Sequence, residues 1–298
     1  MKSNRRKKGT YQMKQIGWIV SLWMVALLAQ PLAAQQTKEL VILQTSDTHS
    51  RIEPVSPQAA DRNAGLGGVV RRVSFVKQAR EGYPGALLFD CGDISQGTPY
   101  YNMFQGELEV KMMNLMKYDA MTIGNHEFDF GLENMARLFR LADFPVVCAN
   151  YEVAGTPLEG LVKPYVVLER EGVRIGVFGL STRLEGLVQA DKCAGVVYRD
   201  PIPVAREVVK QLRGEEHCDV VICLSHLGLY GSGLGDAGDE VLAAQTEGID
   251  LILGGHSHTY MERPAFYENA DKKEVPVMHT GKNGAYVGML KLELEERK

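Results

Sequence analysis

The chain has 298 residues, 45% hydrophobic and 23% charged, with a formal charge of -4. Such a composition excludes a disordered polymer and suits one large α/β domain or two small ones. The first 34 residues hold six Lys or Arg and no acidic residue, so without them the charge falls from -4 to -10. A nucleic-acid duplex is then excluded as a natural partner, because that affinity comes largely from cationic contacts with phosphates.

Those 34 residues read as a secretory leader. Arg5-Arg6-Lys7-Lys8 is a basic head, Ile16 to Ala29 is an apolar run of 14, and Leu32-Ala33-Ala34 precedes the polar Gln35-Gln36. The run is shorter than the ~20 residues a membrane span needs. Cleavage near Ala34 is expected, leaving residues 35–298 as one periplasmic or secreted domain with no stable span. The five cysteines are odd in number, so a monomer keeps at least one free thiol. Cys91, Cys148 and Cys223 sit in apolar runs as buried thiols; Cys193 and Cys218 are the pair open to a disulfide.

Leu40 to Thr45 reads as the first buried strand and runs into Ser46-Asp47-Thr48-His49, where a curled backbone turns Asp47 and His49 to one side. Val69 to Arg80 has helical spacing. The strand Ala86 to Phe89 ends in Asp90-Cys91-Gly92-Asp93, where Gly92 allows close backbone approach. Gln96 to Pro99 is a turn, and Tyr100, Tyr101 and Phe104 beyond it serve either ordinary packing or a rim. Glu107 to Lys117 is a helix. The strand Ala120 to Ile123 ends in Gly124-Asn125-His126-Glu127-Phe128-Asp129, with Asp129 placed to orient the His126 ring, and Leu132 to Leu141 is a helix.

Val146 to Ala149 is a further strand. Tyr165 to Leu180 reads as two strands turning at Glu171-Gly172, and Pro201 to Arg213 as a helix with Pro in its first turn. Val220 to Leu224 stops at Ser225-His226, and a Gly- and Asp-rich loop, Gly231 to Asp239, leads to another helix. Leu251 to Leu253 stops at Gly254-Gly255-His256-Ser257-His258, and strands at Val275 to Met278 and Ala285 to Leu294 close the chain. Five apolar runs thus end at metal-competent side chains: Asp47, Asp93, Asn125, His226 and His256. Each alone is more often structural; five together are not. His279 and His217 are read as structural and surface residues.

The ordered set D-x-H, G-D, G-N-H-E-F-D, S-H-L-G and G-G-H-S-H resembles the calcineurin-like metallophosphoesterases, specifically the N-terminal catalytic domain of the 5'-nucleotidase family. The resemblance implies an α/β fold, a four-layer α/β/β/α sandwich of two mixed sheets flanked by helices. It also implies two metal ions, one held by Asp47, His49, Asp93 and His258 and the other by Asp93, Asn125, His226 and His256, with Asp93 bridging. Position 258 is Gln in many relatives, and His keeps a ligand there. The donor types favour zinc, manganese, iron or cobalt over magnesium or calcium. The implied reaction is in-line attack of a metal-bound hydroxide on phosphorus, with His126, oriented by Asp129, assisting catalysis.

Full-length members of that family carry a second domain that binds the nucleotide, and this sequence ends before it. The expected substrate is a phosphomonoester, foremost a nucleotide 5'-monophosphate. Cyclic phosphodiesters and nucleotide-sugar pyrophosphates are the neighbouring alternatives. The alternative of another class is a metal-binding subunit that is inactive without a separate chain of the C-terminal nucleotidase type.

Overall fold

The computed structural model describes residues 38–294. The leader and its cleavage site lie outside them.

The first half of the chain lays down β1 (Lys38–Thr45), α1 (Val69–Gly82), β2 (Leu87–Asp90), α2 (Pro99–Phe104), α3 (Glu107–Met116), β3 (Ala120–Thr122), α4 (Gly131–Leu141), β4 (Val146–Val147), β5 (Tyr151–Glu152) and β6 (Val162–Lys163). The second half adds β7 (Tyr165–Arg170), β8 (Val173–Ser181), β9 (Val197–Tyr198), α5 (Pro201–Gly214), β10 (Val220–His226), α6 (Asp239–Gln245), β11 (Leu251–Gly254), β12 (Ala265–Glu268), β13 (Glu274–His279) and β14 (Gly288–Leu294). Two six-stranded sheets result, in the orders β14-β1-β2-β3-β4-β6 and β12-β13-β11-β10-β8-β7, and β5 pairs with β9 separately.

Strand alternation explains why the sheets stack. Along β1, Leu40 and Ile42 face the second sheet while Leu43 faces helices; along β10, Val220, Ile222 and Leu224 face the first sheet while Val221 and Cys223 face helices. Both faces of these strands are therefore apolar, which is why the sequence shows them as unbroken hydrophobic runs. The described residues form three buried clusters: one between the first sheet and α1, α3 and α4, one between the sheets, and one between the second sheet and α5 and α6. Three apolar interfaces separate four layers, as the resemblance implies.

The sheets also meet through their backbones. Ala149 N–H donates to Gly179 C=O at 2.8 Å, and a methyl at Gly179 would collide with the Val147 carbonyl and the Thr122 hydroxyl. Only a residue without a side chain permits that approach. Helix ends follow local chemistry as well: the Asp200 carboxylate caps α5 by accepting from Ile202 N–H at 3.0 Å, with Pro201 in the first turn.

In both sheets the strands that precede the polar clusters run parallel: β1 with β2, β2 with β3, and β10 with β11. Their C-terminal ends therefore converge on one edge, where open α/β sheets hold ligands. Several features depart from the sequence reading. Pro99–Phe104 is a helix where only a turn through Pro99 was expected; Tyr101 on it is buried, the packing alternative. The two-residue strands β5, β6 and β9, and β12, were not expected. All five cysteines are free, so Cys193 and Cys218 form no disulfide.

Candidate metal centre

Asp47, His49 and His258 bring one ligand atom each within 4.8 Å of one another, and Asp93, His226 and His256 do the same. Asn125 joins the second group, its Oδ1 lying 3.0 Å from His256 Nδ1. All seven residues expected to hold metal are thus gathered at the shared edge of the two sheets.

The backbone accounts for the convergence. Asp47, His49, Asp93, His256 and His258 all have positive φ, between 46° and 71°, a region costly for residues with side chains and concentrated at functional sites. This left-handed curl lets Asp47 and His49, two apart, point the same way. Gly92, at φ 88°, brings two strand ends together: a Cβ there would lie 2.6 Å from Gly124 N and 2.9 Å from His226 Nδ1.

Neighbouring groups fix the imidazoles. His49 Nδ1 faces the Ser95 carbonyl at 3.2 Å and His226 Nδ1 faces the Cys91 carbonyl at 2.6 Å. An Nδ1–H donated to a carbonyl leaves Nε2 with its lone pair free, the tautomer a metal ligand needs. His49 Nε2 lies 2.9 Å from His258 Nε2, and His226 Nε2 lies 3.1 Å from Asp93 Oδ2 without hydrogen-bond geometry. The buried Asp47 Oδ2 likewise has no hydrogen-bond partner. Buried orphans of this kind are unfavourable unless something else satisfies them, and two divalent cations fit both the orphans and the mixed nitrogen and oxygen donors.

Burial shifts the titration of these groups. It pushes the Asp47 carboxyl up to about 8, despite His226 nearby. For Asp93 burial also acts upward, but the adjacent His226 holds it well below the carboxylate range. Burial would lower His226, yet Asp93 raises it to about 10. His256 and His258 fall to about 4, through burial first and neighbouring imidazoles second. Bound cations reverse the shifts of Asp47 and His226 and reinforce those of Asp93, His256 and His258, because a positive ion favours both the carboxylate and the neutral imidazole.

His126 stands apart from both groups. Its Nδ1 lies 3.2 Å from Asp129 Oδ2, and its backbone N–H donates to Asp93 Oδ1 at 2.9 Å. Burial works against its protonation, but the Asp129 hydrogen bond and the Asp93 charge outweigh it, so its pKa is raised. Asp129 is thus the partner of His126 Nδ1.

Glu127 was missed in the sequence. Its carboxylate is buried and accepts from three backbone N–H groups: Gly124 at 2.6 Å, Asp93 at 2.9 Å and Ser95 at 3.3 Å. It ties the loop carrying Asp93 to the loop carrying Asn125 and His126. Asp90 braces the same turn, accepting from Gly92 N–H at 2.9 Å and Thr45 Oγ at 2.6 Å. The buried His279 is structural as expected, its Nε2 lying 2.7 Å from Asp239 Oδ2 while Ser225 Oγ donates to the other Asp239 oxygen.

Two stacked sheets between helices, with paired ligand clusters at the strand ends, make up the architecture of a metal-dependent phosphoester hydrolase. The chain belongs to the calcineurin-like phosphoesterase family, which matches residues 40–260. It is 32% identical to human 5'-nucleotidase over 279 residues, covering 87% of this chain and 47% of that protein. Among solved structures it resembles the 5'-nucleotidase precursor of Thermus thermophilus (TM-score 0.77, 32% identity, 85% of this chain and 51% of that one). The calcineurin-like phosphoesterase YfkN of Bacillus subtilis is also similar (TM-score 0.71, 27% identity, 88% of this chain and 86% of that one). The chain spans about half the length of the curated 5'-nucleotidases it matches.

Proposed function

We propose that this chain hydrolyses phosphomonoesters, with nucleotide 5'-monophosphates the first class to test. Asp47, His49 and His258 would hold one divalent cation, Asn125, His226 and His256 a second, and Asp93 both. The observation that carries this reading is the convergence of seven metal-competent side chains beside an eighth, His126, that lies outside both groups. Bound there, two divalent cations would activate a water molecule and neutralise phosphate oxygens together.

The chain's own residues supply the rest. The water oxygen bonds to phosphorus as the ester P–O bond breaks, giving inorganic phosphate and an alcohol. With Nδ1 engaged by Asp129, His126 offers Nε2 to the leaving oxygen and, when protonated there, can deliver that proton. Glu127 and Asp90 hold the loops so that these groups stay aligned.

Phosphate release from AMP and p-nitrophenyl phosphate by residues 35–298, loaded with manganese or zinc, tests the reading beside His126→Ala. The variant is expected to lose about 10² to 10⁴ in rate while binding the same number of ions. A wild type that binds two ions but releases no phosphate from any ester would sink the proposal for the isolated chain.

We also propose that the protein is exported and cleaved near Ala34, on the basic head and short apolar run of residues 1–34. Among the described residues no helix is long and apolar enough to cross a membrane. Intact mass spectrometry of protein secreted by an expressing cell should show a chain starting near Gln35; a retained Met1 would refute the cleavage.

A further inference from the structure

The turn that carries His49 borders a cavity of about 20 Å³. One water molecule needs about 10–15 Å³ of such space and two to four polar partners. The walls include Thr48 and Ser50, on either side of His49, with Arg51, Arg72, Asp90 and Glu109. None of the seven candidate ligands lines the cavity, and neither does His126. It belongs to what supports the metal centre, not to the centre itself.

The polar lining is short of partners. Glu109, in the first turn of α3, is 5% exposed. Burial pushes its carboxyl up, and the nearby Ser50 hydroxyl works against that shift. Yet neither Glu109 oxygen accepts a completed hydrogen bond, and Ser50 Oγ, Arg51 Nε and Arg72 Nε are unpartnered as well. Buried polar atoms without partners are rare, and several around one small cavity call for a shared one. Two arginines and two carboxylates balance in formal charge, so a neutral water suits the space better than an ion.

Ser50 matters because of its place in the chain. His49 and Ser50 both take the left-handed conformation, at φ 46° and 50°, which persists only where the surroundings enforce it. The backbone is held from the side of the Asp93 loop: His49 N–H donates to Asp93 C=O at 3.0 Å and Ser50 N–H to Ile94 C=O at 2.8 Å. Thr98 Oγ1 donates to the Ser50 carbonyl at 2.9 Å. The Ser50 hydroxyl is the remaining handle on the turn, and Glu109 is the buried carboxylate beside it.

Resting on the metal-binding reading above, we propose that one water molecule resides in this cavity, donating to Glu109 and accepting from the Ser50 hydroxyl and Arg72 Nε–H. Glu109 is then a positioning residue. Through the water and Ser50 it steadies the turn that presents His49 to a metal ion.

Two measurements test this. A high-resolution crystal structure of the wild type should show one water within hydrogen-bond distance of both Glu109 and Ser50; a dry cavity, or a direct Glu109–Arg72 ion pair across it, overturns the proposal. Manganese affinity is then compared by calorimetry for wild type, Glu109→Leu, Glu109→Gln and Ser50→Ala. Glu109→Leu should bind manganese about 10- to 100-fold more weakly, as when groups behind metal ligands are removed. Its metal-free form should unfold no more easily than wild type, because a buried carboxylate short of partners gives way to an apolar side chain. Glu109→Gln keeps an acceptor for the water and should restore affinity to near the wild-type value. Ser50→Ala should repeat the loss, which guards against a Glu109→Leu that misfolds. Affinity unchanged in both Glu109→Leu and Ser50→Ala, or lowered equally in Glu109→Gln, refutes the positioning role. If the wild type binds no manganese, the metal-binding reading is what fails. The water in the crystal and the His49 imidazole NMR signals of the metal-free proteins, expected to shift in Glu109→Leu and return in Glu109→Gln, then decide the proposal.

Discussion

Asp93→Asn is expected to cost about 10³-fold or more in turnover and to reduce the bound metal below two ions per chain. Asp93 is 2% exposed, its Oδ2 lies 3.1 Å from His226 Nε2, and its Oδ1 accepts from the His126 N–H. It is also the only carboxylate in the group with His226 and His256. Replacing it with an amide removes one negative charge where, on the proposed reading, two cations would sit side by side. Charge stabilisation by metals in such sites is worth several kcal/mol in the transition state, and each ~1.4 kcal/mol is tenfold in rate. The fold should tolerate the change, because Asn is among the residues that best accept positive φ, here 56°. Metal analysis after dialysis, run beside phosphate release, checks both parts. A variant that kept two ions and more than a tenth of the wild-type rate would show that Asp93 does not bridge.

Five of the seven candidate ligands were legible because each ends an apolar run, and a parallel strand buried on both faces leaves just such a run. Asp47, Asp93, Asn125, His226 and His256 could therefore be picked out before any contact was known. What the sequence could not convey is how two sheets share one edge. His256 N–H donates to Asp47 Oδ1 at 3.0 Å, and Gln44 Nε2 donates to the Gly254 carbonyl at 3.0 Å, across more than 200 residues of chain. Elements without a pattern were lost for another reason. β5, β6 and β9 have two residues each, too few for alternation to register. Gln96 to Pro99 reads as a turn because Gly97 and Pro99 signal a break, although Pro99 is equally suited to open the helix that follows.

Glu127 escaped notice because its partners are backbone amides, which carry no sequence signature, and its removal is the largest stability effect expected here. Glu127→Ala should destabilise the metal-free protein by about 3 kcal/mol or more. Each buried N–H left without an acceptor costs about 1–3 kcal/mol, and three would be stranded: those of Asp93, Ser95 and Gly124. Some of this is offset, because Glu127 itself is disfavoured as an anion, by burial first and by the Asp93 charge second. Glu127→Gln separates the terms. An amide oxygen in place of Oε2 can still accept from Asp93 and Gly124, so only the longer bond from Ser95 is lost, and the carboxylate charge is gone as well. Gln should therefore stay much closer to wild type in denaturant unfolding than Ala does. Because the same carboxylate ties Asp93 to the turn bearing Asn125 and His126, the Ala variant should also bind metal more weakly by about 10- to 100-fold, as seen when groups behind the ligands are removed. Unfolding of Glu127→Ala within 1 kcal/mol of wild type, with unchanged metal affinity, would mean that the loops hold their shape without it.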